Sequence, residues 1–240
     1  MATSLHVIAM HGWAGDGSGW DPLRRELAAP SWRWDSGERG YGGAPPRVPA
    51  WVPEARRLLI THSMGPHLLP PELVAQAEAV VLLAGFARFV PPGRDGRRLH
   101  TALAGMAAQL ADGPDETAAA LRAQALLQTF LAQAAAPDPV ELLPPGPASR
   151  PVAAAARRRL RDDLERLAQI RDLPEGFPAA VPVLIVEAGE DRIVGPAARA
   201  LLRQRLPEAE VIDLAGAGHA LLQVPLVALL RDWIDRRLRP

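Results

Sequence analysis

The sequence predicts an α/β fold built on a mostly parallel sheet, and three observations carry the prediction. Short segments of strand character recur along the chain, at 5–10, 57–61, 79–84, 181–186 and 210–214. Segments with helical spacing separate them. The first strand segment empties directly into His11-Gly12-Trp13-Ala14-Gly15, a glycine-rich exit. Strands alternating with helices bury both faces of a parallel sheet.

Taken in order, Leu5 to Met10 is apolar and reads as the first strand. Trp20 to Leu27 supplies the following helix, with Ser18 or Asp21 placed to cap it and Pro22 where a first turn tolerates proline. Ser31 to Trp34 reads as a second strand. The stretch from Gly37 to Pro53 is too rich in glycine and proline for a helix, so an irregular loop is expected. Arg57 to Thr61 is a buried strand, followed at once by His62-Ser63-Met64-Gly65 and a short helix that Pro70-Pro71 interrupts. Ala79 to Ala84 is another buried strand. From 88 to 171 the pattern becomes helical, broken near Gly113 and at Pro144 to Pro151. This segment is expected to be a helical insertion, with residues 1–87 and 172–240 forming the core. Val181 to Val186, Pro196 to Leu206, Glu210 to Leu214 and Leu226 to Leu238 complete the alternation as strand, helix, strand and helix. Arginines close the last helix, where its dipole favours cations.

Composition excludes several chemistries. The chain has 240 residues, no Cys and 27 basic residues that are all Arg. Thiolate nucleophiles, disulfides, Cys-based zinc sites, a P-loop lysine and a Schiff base are therefore ruled out. The formal net charge is zero, without the basic footprint of a nucleic-acid binder. The longest apolar run, Ala79 to Ala87, is far short of a membrane span and stops at Arg88. Met1 to Met10 carries no leader-peptide signature, so a cytoplasmic protein is expected.

In a parallel sheet reactive groups gather at the carboxyl ends of strands. Ser63 follows the 57–61 strand, Asp191 the 181–186 strand and His219 the last strand, giving the chain order Ser, Asp, His. Thr61-His62-Ser63-Met64-Gly65 is a variant of the G-x-S-x-G nucleophile elbow with Thr in place of the first Gly. His219 lies in Gly216-Ala217-Gly218-His219, a loop suited to presenting an imidazole as general base. Asp191 would fix its tautomer. The backbone N–H groups of Met64 and Trp13 would form the oxyanion hole. Each residue also has a plain structural reading: Ser63 as a helix cap, Asp191 as a turn residue, His11-Gly12-Trp13 as a glycine turn. His62 and His67 compete for the base role, and Glu187 and Glu190 are the fallback carboxylates. Met106 and Phe130 of the insertion could line an apolar channel or form the insertion's own core.

These residues resemble the α/β-hydrolase family over nearly the whole chain. The resemblance implies a sheet reduced to about six strands, since nothing strand-like precedes Leu5 and the helix before the Ser63 strand is largely lost. It also implies that the insertion acts as a lid. Within the family, His11-Gly12-Trp13 with Trp20, the helical lid, and Asp163 to Leu167 leading into Asp172-Leu173 resemble the pimeloyl-acyl-carrier-protein methyl ester esterases of biotin synthesis. That implies hydrolysis of a carrier-bound methyl ester without metal or cofactor, by a protein expected to be a monomer. Arg150, Arg157, Arg158, Arg159 and Arg161, with no acidic residue between 142 and 161, would be the surface that meets an acidic carrier. A solvated helix face explains the same arginines. A generic short-chain carboxylesterase, a thioesterase, a C–C hydrolase and a non-catalytic binding protein of the same fold remain open.

Overall fold

A computed structural model describes residues 4–221 and 225–238. Residues 1–3, part of the stretch read as lacking a leader, lie outside the described residues. Six strands form one sheet: β1 (Leu5–Met10), β2 (Arg33–Ser36), β3 (Arg56–His62), β4 (Ala79–Leu83), β5 (Val183–Ala188) and β6 (Glu210–Leu214). Their order is β2-β1-β3-β4-β5-β6, and every neighbouring pair is parallel. The chain leaves β1 toward one edge and returns beside it as β3. That reversal opens a crevice at the carboxyl ends of β1 and β3, where ligands bind in such sheets.

Alternation along the strands divides the core in two. Leu5, Val7 and Ala9 face a layer that includes Trp20, Leu27, Trp233 and Ile234, contributed by the segment around α1 (Asp21–Leu27) and by α8 (Pro225–Leu238). Ile8 and Met10 face the opposite layer, built from α2 (Gly65–Leu68), α3 (Pro71–Ala75), α7 (Pro196–Arg205) and the insertion. The insertion contains α4 (Arg94–Gln109), α5 (Glu116–Ala135) and α6 (Ala154–Gln169), and its breaks fall around Gly113 and across Pro144 to Pro151. Among the described residues no helix is long and apolar enough to cross a membrane.

Two local expectations change. Strand β2 starts at Arg33 rather than Ser31. Neither Ser18 nor Asp21 caps α1; the Asp16 carboxylate instead accepts from the N–H groups of Ser18 and Gly19, capping the 3-10 turn Gly17–Trp20 that leads into the helix.

The five arginines do not form one open surface. Arg157 is fully buried, with Nη2 at 2.7 Å from both Asp112 and Glu116. It cannot meet a partner, and this corrects its reading as a docking residue. Adjacent basic residues alone did not reveal that one was turned inward against carboxylates forty residues upstream. Arg158 lies 3.9 Å from the same Asp112, Arg161 lies 3.9 Å from Asp162, and Arg150 donates to the Gly42 carbonyl. Arg159 reaches toward Gly40. Because the Arg157 stem is enclosed, Arg157→Ala is expected to lower Tm by about 5–10 °C, whereas Arg157→Met, which keeps the stem, recovers most of the loss. Thermal unfolding checks this.

Asp163 makes the second buried charge contact of the insertion. Its carboxylate receives Nε and Nη2 of Arg39 at 2.7 Å each and the Tyr41 hydroxyl at 2.6 Å. The irregular loop after β2 is thereby fastened to α6.

Candidate active site

The site is built on the loops that leave β1 and β3. After β1, Gly12 lies so close to the next strand exit that an added Cβ would sit 2.8 Å from Ser63 Cβ and 3.1 Å from the His62 carbonyl. Only glycine allows that approach. His11 is held neutral on one side of this loop: burial pushes its pKa down, Nδ1–H donates to Gly12 O at 2.8 Å, and Nε2 accepts the Arg39 N–H at 3.2 Å. Trp13 is fixed by its indole N–H donating to Leu160 O at 2.9 Å and by an edge contact with Phe130, centroids 4.8 Å apart.

After β3 the chain turns sharply. Ser63 has φ +54, the left-handed region that a non-glycine residue rarely occupies, and its N–H donates to Leu83 O at 2.8 Å. Helix α2 starts at Gly65, where a Cβ would meet Met10 O at 2.5 Å and Thr61 Cβ at 3.0 Å. The space that the elbow needs is therefore made at Gly65, and Thr61 fits, buried beside it, in place of the usual first glycine. Ser63 does not cap a helix: α2 is preceded by Met64 and has no side-chain cap. Among the described residues the Ser63 hydroxyl makes no hydrogen bond, and neither the Trp13 nor the Met64 backbone N–H finds an acceptor.

Asp191 and His219 do meet. Asp191 Oδ2 accepts His219 Nδ1 at 2.9 Å, and Oδ1 accepts the N–H groups of Ile193 and Val194 at 2.7 and 2.8 Å. Burial raises the Asp191 pKa, but the imidazole and the two backbone donors outweigh it and hold the carboxyl below its ordinary value. The two loops are packed directly together: Gly189 N–H donates to Leu214 O, Glu190 N–H to Ala217 O, and a Cβ on Gly189 would strike Ala215 O at 2.7 Å. Helix α5 supports the same loop, since Ala220 N–H donates to Ala134 O at 2.9 Å and a Cβ on Gly218 would fall on the Ala136 carbonyl.

The competing residues have other partners. Glu187 is buried against Arg203 at 2.8 Å and Arg199 at 3.9 Å, and Glu190 contributes only its backbone to the site. His67 is buried with Nε2–H on Phe86 O at 3.2 Å. His62 has a role that the sequence did not disclose. Its Nε2–H donates to the His219 carbonyl at 2.9 Å, and the two rings lie 4.8 Å apart. The residue adjoining Ser63 thus braces the loop that carries His219. Burial pushes the His62 pKa down to about 4, with the neighbouring His219 acting in the same direction.

Two cavities adjoin the site. Ser63 and Met64 line one of about 260 Å³, together with Met106, Leu103 and Leu126 of the insertion and with Arg192. His219 and His62 line the other, of about 440 Å³, with Trp20, Leu131 and Leu143. Trp13 and Phe130 line both and form their shared wall. Correspondingly, no Ser63–His219 hydrogen bond is made, and His219 Nε2 has no partner among the described residues. No cluster of His and carboxylates able to hold a metal occurs among the described residues.

No protein-family model and no curated protein matches the sequence. Solved structures do match the fold. A thermophilic esterase from Thermogutta terrifontis superposes with TM-score 0.63 at 18% identity, over 98% of this chain and 91% of that one. MenH from S. aureus gives 0.65 at 13% identity, over 99% and 96%. An esterase from Exiguobacterium antarcticum gives 0.62 at 14% identity, over 98% and 93%. With the six-stranded parallel sheet and its flanking helices, these likenesses define the α/β-hydrolase fold.

Proposed function

We propose that the chain is a serine hydrolase that cleaves carboxylic esters. The observation that carries this reading is Ser63, held at φ +54 at the end of β3 with its hydroxyl unbonded among the described residues, next to His62, whose ring donates to the carbonyl of the same His219 that is bonded to buried Asp191. Ser63 Oγ attacks the ester carbonyl as His219 Nε2 takes its proton, while Asp191 holds the imidazole by Nδ1. The N–H groups of Trp13 and Met64 receive the oxyanion. Collapse expels the alcohol, which takes the proton back from His219. Water then attacks the acyl-enzyme with His219 again as base, releasing the acid and restoring Ser63. The Ser63–His219 hydrogen bond is expected to form when substrate orders the site, because catalytic hydrogen bonds often tighten only in the Michaelis complex.

That unmade bond is also what favours a second reading, a non-catalytic binding protein of this fold. A fluorophosphonate probe separates the two: a stoichiometric adduct on Ser63 supports the hydrolase, and no adduct supports the binding protein. Thioesterase and C–C hydrolase activity would use the same groups, and substrate profiling distinguishes them.

For the narrower substrate, a carrier-bound pimeloyl methyl ester, Arg157 is no longer available to a partner because it is buried, while Arg150 and Arg158 remain exposed. Complementation of a biotin auxotroph lacking its methyl esterase tests it directly. The close packing of the base loop gives a further expectation. Gly218→Ala pushes that loop off α5 and misplaces His219, so ester turnover should fall about 100-fold, the loss typical of a displacement near 1 Å. Steady-state kinetics with p-nitrophenyl acetate measures it.

A further inference from the structure

A single cation borders the cavity that Ser63 lines. Arg192 is part of its wall, no Asp or Glu among the described residues is, and much of the remaining wall is apolar and buried, including Met64, Leu103, Leu126 and Leu164. The cavity that His219 lines has the opposite character: Asp16 and Glu26 border it, and no arginine among the described residues does. The two spaces beside the reacting groups therefore differ in charge.

Arg192 follows Asp191 directly, in a turn that is held firmly. The N–H groups of Ile193 and Val194 donate to Asp191 Oδ1 at 2.7 and 2.8 Å, and Val194 is fully buried. The Arg192 side chain, by contrast, is exposed and has neither a hydrogen bond nor an ion pair among the described residues. Arginines of the adjoining helix α7 are already engaged: Arg199 donates to the Ala188 carbonyl, Arg203 to Glu187 and Arg205 to Asp172. Gln133 of α5 borders the same cavity as Arg192, exposed, with its carboxamide likewise unpartnered among the described residues. An apolar space with one or two free donors at its edge is the usual form of a site that recognises a small molecule by a polar group. A guanidinium fork matches a carboxylate, and apolar walls strengthen its field relative to open water.

We propose that Arg192 is a specificity-determining residue and that the substrate is an ester whose acid part carries a second, free carboxylate, a monoester of a dicarboxylic acid. This deepens the hydrolase reading and rests on Ser63 as the nucleophile, because the acyl group bonded to Ser63 Oγ then shares a cavity with Arg192. A carboxylate on the departing alcohol would instead meet Asp16 and Glu26.

Pairs of p-nitrophenyl esters that differ in one charge test the proposal on the purified full chain. One member is the monoester of adipic, suberic or sebacic acid, and the other has its free carboxylate replaced by a carboxamide. At one chain length or more the acid should exceed its amide in kcat/KM by about fivefold, mainly through KM, the scale of an exposed ion pair. Raising NaCl from about 50 to 500 mM should bring that ratio toward one, because salt screens the pair. Arg192→Gln should bring it to one or below at either salt, and Arg192→Lys should keep part of it. A disturbance of neighbouring Asp191 would slow both members alike, so the ratio reads the charge alone. Ratios near one at all three lengths overturn the proposal, and so does a preference that survives Arg192→Gln or is insensitive to salt. Hydrolysis of the amides would then leave the hydrolase reading standing. Silence toward every ester overturns the proposal, and the hydrolase reading falls with it if no fluorophosphonate adduct forms.

Discussion

Replacing Ser63 by alanine is expected to reduce p-nitrophenyl acetate turnover by about 10⁵-fold or more, as loss of a serine nucleophile does elsewhere. Thermal stability should change little, because the hydroxyl makes no hydrogen bond among the described residues. A second substitution sharpens the test. Ser63→Gly should be equally inactive yet more stable than the parent by about 1 kcal/mol, since glycine adopts φ +54 without the cost that a side chain incurs there. Undiminished turnover in either variant removes Ser63 from the mechanism.

Acid should destabilise the protein through His67. This imidazole is buried under the elbow helix with one donor bond to Phe86 O, and burial pushes its pKa down to about 4 from 6.5. The unfolded chain takes up a proton as pH falls through 6.5, and the folded chain does not until about 4. Stability from neutral burial is thus fully present above pH 6.5 and lost as pH drops through that window. At about 1.4 kcal/mol per pH unit the loss is about 3 kcal/mol, a large share of the roughly 5–15 kcal/mol typical of a domain. Urea unfolding at pH 7 and pH 4.5 reads it directly. His67→Gln, which keeps an N–H donor for Phe86 O but cannot titrate, should show a smaller fall between the two conditions by about 2–3 kcal/mol. Equal falls would assign the acid lability to other groups.

The sheet was legible because its inner strands, buried on both faces, are written as apolar runs, and because glycine and proline mark their ends. The candidates Ser63 and Asp191 were picked out for a related reason, since each follows such a run within three residues, whereas His219 was picked out by its glycine-flanked loop after the half-exposed edge strand β6. Contacts between distant charged residues left no comparable trace. Arg157 sits in a row of arginines that reads as a solvated face, and nothing local indicates that it turns inward to Asp112 and Glu116. The same is true of Asp163, whose partners Arg39 and Tyr41 lie in a loop without periodicity. His62 was read as a competitor for the base role, since bracing the His219 carbonyl depends on how two strand exits lie side by side. The division of the site by Trp13 and Phe130 depends on where α5 crosses the core, which helical spacing cannot specify.

The carbonyls of Ala134 and Ala136 at the end of α5 rest on the loop that carries His219. Anyone exchanging residues 88–171 for the matching segment of another protein of this fold would be replacing part of the seat of the His219 imidazole as well. A chimera that does not match those two carbonyls should fold with that imidazole displaced, and repair would call for redesigning Gly218 and Ala220 alongside the graft.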